Sequence, residues 1–125
     1  MSLSKTRKKT KTMSRSARTK ATDISAKVRR EVHERDHGCI FCQMEHFTPT
    51  GARTEIMHYV SRYAGGLGIP ENLAEGCIVH HRMMDQGAGR EPQLLRALFR
   101  WYLRQHYPGW SEEKLRYRNR WETNT

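Results

Sequence analysis

At 125 residues, 29% of them charged and 36% hydrophobic, the chain has material for one small domain, and small domains often need a metal or a cross-link to be stable. Its three cysteines cannot pair completely and two lie three positions apart, which argues against a disulfide framework and for metal ligation in a reducing compartment. No apolar run reaches the length of a membrane span, and the basic start lacks the apolar core of a secretory signal, so a soluble, cytoplasmic protein without a membrane partner is expected. A net charge of +10 with a pI near 10.0 points to a polyanionic partner.

The charge is concentrated. Residues 1–22 carry eight Lys or Arg and no Asp or Glu, and they contain almost no large apolar side chains. Such a segment cannot bury enough surface to fold alone, so it is expected to be a disordered basic tail that contacts phosphates, with the domain spanning 23–125. Near Asp23–Ser25 short polar residues suit a helix cap, and Ile24, Val28 and Val32 then recur every four residues. The helix they predict ends around Asp36, His37 and Gly38 and delivers Cys39.

Residues 39–53 show no sustained period and read as knuckle and loop. Residues 55–60, with their β-branched and aromatic side chains, predict a strand, followed by a glycine-rich turn at Gly65, Gly66 and Gly68. A second short strand is expected over 72–75, and a short helix from His80, stopped by Gly87 and Gly89. Pro92 suits the first turn of a longer helix with Leu94, Leu95, Leu98, Phe99, Tyr102 and Leu103 on its apolar face. Arg96, Arg100 and Arg104 fall four apart on that helix and form one row, readable as a solvated face or as a phosphate-tracking stripe. After Pro108 and Gly109, a last helix is expected from Ser111, with Trp110, Tyr117 and Trp121 as packing anchors.

Two ligand pairs frame the centre of the chain. Cys39-x-x-Cys42 is answered, after 34 intervening residues, by Cys77-x-x-His80. Zinc prefers four soft or borderline ligands in a tetrahedron, and two short turns each offering a pair can supply them. A structural zinc on Cys39, Cys42, Cys77 and His80 is therefore expected, with His37, next to the first knuckle, as the one other histidine that could substitute as a ligand.

Between and beside these pairs lie His58, Asn72 (which follows it by fourteen positions) and His81. In order, spacing and zinc frame this region resembles the HNH endonucleases, strongest over 38–87, with the stretch from Arg62 through the glycines to Asn72 similar to small phage and prophage members. The resemblance implies a zinc-stabilised α+β domain with a ββα-metal (His-Me finger) core and flanking helices, including a helical extension over 91–121. It implies that His58 is the general base, that Asn72 orients it by tying the loop, and that His81 binds one catalytic divalent cation. Asp85, four residues on, shares His81's helical face and can coordinate the same ion. A carboxylate suits Mg²⁺ or Mn²⁺, and the imidazole also admits Ni²⁺, Co²⁺ or Zn²⁺. Arg62, before the glycine turn, is placed to hold the substrate phosphate.

One position departs from the family. Where many members have a metal-ligating Asp or His directly before the base, this chain has Met57, a poor partner for Mg²⁺. Glu55 is a candidate third ligand, against which stands strand alternation, which places it with Met57 and opposite His58. The expected function is a metal-dependent DNA endonuclease or nicking enzyme leaving 5′-phosphate and 3′-hydroxyl ends. It would act as a monomer or weak dimer, in a phage or prophage setting that includes a terminase or other DNA-processing complex. The alternative is a non-catalytic zinc-knuckle protein that binds nucleic acid, which would need neither His58 nor Asn72.

Overall fold

The computed structural model describes residues 16–118; most of the basic tail and Trp121 lie outside that range. The first element falls where no structure is expected. Ala17–Thr22 forms a helix, α1, capped by the Ser16 hydroxyl, which accepts from the Thr19 N–H. Local composition gives no reason for it; what holds it is tertiary. Thr22 is buried, the Ala21 carbonyl accepts from the Gly68 N–H at 2.9 Å, and the Arg18 guanidinium donates to the Tyr63 carbonyl at 2.8 Å.

Helix α2, Ala26–Asp36, begins at the Ser25 cap, where the hydroxyl accepts from the Val28 N–H. It ends at His37, whose left-handed φ of 55° turns the chain toward Cys39. Strand β1, Thr54–His58, pairs antiparallel with β2, Leu73–Cys77, in the register Glu55 opposite Gly76 and Met57 opposite Ala74. Both strands sit within two residues of the expected bounds, but Asn72 lies outside β2, in a 3-10 turn over Pro70–Asn72. Helix α3, Ile78–Gln86, follows β2 without a loop and starts two residues earlier than expected, because the Cys77 sulfur caps it by accepting from the His80 N–H. Helix α4, Glu91–His106, then packs against α3. In place of a last α-helix there is a 3-10 turn over Glu112–Leu115.

The hairpin and α3 thus form a ββα unit whose helix and sheet are packed by the other helices. Leu95, Phe99 and Leu103, spaced four apart on α4, are fully buried in one core with Phe41, Met57 and Met84. The segment read as an extension therefore supplies a wall of the single core. Leu94, expected on that apolar face, remains exposed, as does Trp101. Met57 belongs to the core too: its thioether lies over Gly76, where an added Cβ would come within 2.4 Å of the sulfur. Position 57 therefore packs the sheet, and a glycine on the neighbouring strand makes room for it.

A buried polar hub ties the layers together. The Asp36 carboxylate accepts from Arg35 Nε at 2.5 Å, the Tyr102 hydroxyl at 2.5 Å and the Glu75 N–H at 2.8 Å. Arg35 also donates to the carbonyls of Pro70 and Leu73 and to the Tyr107 hydroxyl. Burial opposes the Arg35 charge, but its hydrogen bond to and attraction by Asp36 hold it firmly protonated. One ion pair thus joins α2, β2 and α4 with its donors and acceptors satisfied.

Candidate functional site

The Cys/His frame closes on itself. Cys39, Cys42, Cys77 and His80 bring their ligand atoms within 4.8 Å of one another, the one such group of three or more among the described residues. His80 Nδ1 lies 3.7, 3.6 and 3.3 Å from the sulfurs of Cys39, Cys42 and Cys77, and Cys42 Sγ lies 3.8 Å from Cys77 Sγ. A tetrahedron with Zn–S near 2.3 Å and Zn–N near 2.0 Å has edges of about 3.5–3.8 Å, so these four atoms are spaced as zinc ligands are. The group could hold a zinc ion.

Its surroundings suit thiolates. The Cys42 N–H points at Cys39 Sγ and the His80 N–H at Cys77 Sγ, both at 3.4 Å, and the Thr50 hydroxyl donates to Cys77 Sγ at 3.1 Å. Burial pushes the Cys39 thiol up to about 12 in the absence of an ion. At Cys77 the upward push of burial is outweighed by the Thr50 hydroxyl and the His80 N–H, and its pKa falls. Thr50 carries no sequence signal, since it meets Cys77 from a loop 27 residues away. His37 stands apart, exposed at the end of α2.

His80 and His81 face different ways. His81 Nδ1 meets Glu55 Oε2 at 2.5 Å and its Nε2 meets Asp85 Oδ2 at 3.2 Å. The i, i+4 pairing with Asp85 follows from the helix; the pairing with Glu55 follows from the sheet. Strand alternation does put Glu55 on the Met57 side, yet its carboxylate reaches His81 on α3, so Glu55 belongs to the His81 cluster. The two carboxylates occupy opposite ring nitrogens, and the three side chains do not converge on one point as the Cys/His group does.

His58 is half-buried at the end of β1. Its Nε2 lies 3.2 Å from the Thr22 carbonyl of α1. A carbonyl only accepts, so Nε2 carries the hydrogen and, in the neutral ring, Nδ1 keeps its lone pair. Burial lowers the His58 pKa; the Thr22 contact opposes this, while the positive fields of Arg62 and His81 add to it. The imidazole is therefore neutral at pH 7.

Asn72 is completely buried, and its side chain is fully used. Oδ1 accepts from the Val60 N–H at 2.8 Å, and Nδ2 donates to the carbonyls of Val60 at 3.1 Å and Leu67 at 2.9 Å. One amide thus pins the β1–β2 loop at two places, the first of them two residues after His58. Gly66 serves the same closure: a Cβ there would meet the Val60 carbonyl oxygen at 1.7 Å.

The arginines are more engaged than a solvated row requires. Arg62 pairs with Asp23. Arg96 donates to the Tyr59 carbonyl at 2.6 Å with its guanidinium over the Tyr59 ring, and Arg100 donates to the Tyr59 hydroxyl at 3.2 Å. Tyr59 in turn packs edge-on against Phe99 and Trp110. Arg104 is exposed beside Arg100 and Trp101. Arg96 and Arg100 thus have structural partners, and Arg104 alone of the three fits the solvated-face reading.

Compared with known proteins, the chain matches no family model, no curated protein and no solved structure. Function has to be read from the side chains themselves. Among the described residues, no helix is long and apolar enough to cross a membrane.

Proposed function

We propose that this protein is a metal-dependent HNH-type endonuclease or nicking enzyme that hydrolyses DNA phosphodiesters. One observation carries the reading: His58 is held as a neutral imidazole with Nε2 on the Thr22 carbonyl, beside a loop that a buried asparagine pins, on the same ββα unit as His81 and Asp85. A pure binding module needs no neutral, oriented imidazole on a rigid hairpin. A phosphodiesterase does.

His58 Nδ1 takes the proton of the attacking water, and the low pKa keeps it free to do so at neutral pH. Asn72 fixes the backbone that aims the ring. His81 Nε2 and Asp85 Oδ2, 3.2 Å apart, are spaced as neighbouring ligands of an octahedral ion, whose adjacent donors are separated by about 3 Å. Solvent and substrate phosphate would complete that ion's shell, with Mg²⁺, Mn²⁺ or Ni²⁺ as candidates. Bound there, a divalent cation supplies charge neutralisation on the phosphate and on the leaving oxygen. Glu55 orients His81 through Nδ1 and adds negative charge near the ion. Met57, buried against Gly76, takes no part in ligation. Zinc on the Cys39, Cys42, Cys77 and His80 group stabilises the scaffold. Products carry 5′-phosphate and 3′-hydroxyl ends, and a packaging or other phage DNA-processing complex is the setting we favour.

The test is plasmid cleavage with Mg²⁺, Mn²⁺ or Ni²⁺, comparing the wild type with His58→Ala. Nicking that is lost in the variant at unchanged zinc content supports the proposal. No nicking by the wild type in any of these metals leaves the binding module as the better reading.

A further inference from the structure

The segment joining α1 to α2 forms a polar hollow that the catalytic reading does not use. A cavity of about 350 Å³ is lined by Lys20, Asp23, Ile24, Ser25, Arg29 and Arg62. Its three cations come from three places in the chain: Lys20 from α1, Arg29 from α2 and Arg62 from the β1–β2 loop. All three are exposed, and one carboxylate, Asp23, faces them while paired with Arg62. Among the described residues, three positive groups against one negative leave the hollow cationic. Ser25 places the N-terminal end of the eleven-residue α2, with its partial positive charge, on the same wall.

The hollow is also built to hold its shape. A Cβ at Gly68 would meet the Asp23 carbonyl oxygen at 2.0 Å, so the elbow sits directly on the glycine turn. Between Lys20 and Asp23 lies Thr22, whose carbonyl bonds His58. The hollow thus shares the 20–25 segment with the carbonyl that holds the candidate general base.

We infer that this elbow is a phosphate cradle that takes a backbone phosphate of the nucleic acid flanking the scissile one. Lys20 and Arg29 contact the phosphate, and Arg62 exchanges its Asp23 partner for it. Asp23 thereby acts as an internal competitor that weakens non-productive anion binding. This deepens the nuclease reading and rests on it for the identity of the ligand, but its test requires no cleavage.

Binding of a fluorescent DNA duplex to the full, zinc-loaded chain is measured against NaCl concentration without added divalent metal. The double variant Lys20→Ala/Arg29→Ala is compared with Lys27→Ala/Arg30→Ala, which removes the same charge from exposed positions of α2 outside the hollow. The cradle predicts roughly a tenfold loss of affinity in the first variant, with the salt slope shallower by about 0.9 for each phosphate no longer neutralised, and a loss under about threefold in the second. Asp23→Asn should tighten binding, with zinc content and melting checked so that a damaged fold is not scored. Equal losses in the two double variants, or none in the first, overturn the cradle. Inorganic phosphate is titrated separately: if it saturates the Lys20–Arg29 region at concentrations below those at which it competes with the duplex, the site is a small-anion pocket and the nucleic-acid assignment falls. A duplex bound as expected but never cut leaves the cradle standing and removes the nuclease.

Discussion

The two histidine-bearing regions that meet at positions 80 and 81 are built on opposite plans. At Cys39, Cys42, Cys77 and His80 the donors converge, three of the four residues are buried, and backbone N–H groups and the Thr50 hydroxyl turn toward the sulfurs. At His58, His81, Glu55 and Asp85 the donors are half-exposed, spread over a strand and a helix, and partnered by carboxylates and a carbonyl. A closed quartet suits an ion that holds a fold; an open pair such as His81 and Asp85 suits the substrate-facing role proposed for it. Adjacent residues can serve both because β2 runs straight into α3, whose first turn aims successive side chains about 100° apart.

The sharpest way to break this comparison is to remove the quartet. Cys77→Ser, or chelation of zinc, should abolish the cooperative thermal transition, since structural zinc contributes about 10–16 kcal/mol, as much as a small domain's whole stability. Circular dichroism melts with zinc quantification check this, and an unchanged melt at zero zinc would remove the clamp. On the open face the expectation reverses. His58→Ala should lower cleavage by roughly 10²–10⁴-fold while zinc content stays as in the wild type and the melt remains cooperative, lowered only by the lost contact with the Thr22 carbonyl.

Asn72→Ala tests the link between the two. It leaves the buried Val60 N–H and two loop carbonyls without their partner, at about 1–3 kcal/mol for each group left unsatisfied, and should lower both the melting temperature and the cleavage rate without releasing zinc. The smallest effect is a pH dependence. The folded pKa of His58 lies below its ordinary value of 6.5, so the unfolded chain takes up the proton first. The contribution of His58 is complete above pH 6.5 and declines as the pH falls through that value toward the folded pKa. Comparing wild-type and His58→Gln melts from about pH 7.5 to about 5.5 isolates it. A wild type that instead gained stability on acidification relative to the variant would contradict the buried, neutral imidazole.

Much of this is legible from local pattern. The cysteine spacing, the helix of Val28 and Val32, the strand that carries His58 and the apolar ladder of Leu95, Phe99 and Leu103 each follow from residue type and period. The assignment of His80 rather than His81 to the sulfurs is also readable, because the x-x spacing from Cys77 returns the chain by nearly one helical turn. Glu55 escapes a count of strand faces, because that count does not say which side chains a helix from elsewhere will meet. Arg96 and Arg100 read only as part of a row, solvated or phosphate-tracking, because nothing in α4 announces Tyr59 as their partner.

Sequence alone determined which side chains could ligate a metal or move a proton, since those properties belong to the residue types and their short spacings. Only the tertiary structure decided that α1 exists, that its last carbonyl sets the tautomer of His58, and that Asp36 binds three elements together. These are contacts across 36 to 66 residues, made by backbone groups and ordinary polar side chains that carry no pattern of their own. Their partners become defined when the hairpin, α3 and α4 bury the common core and bring distant polar groups into a place where each must find a mate.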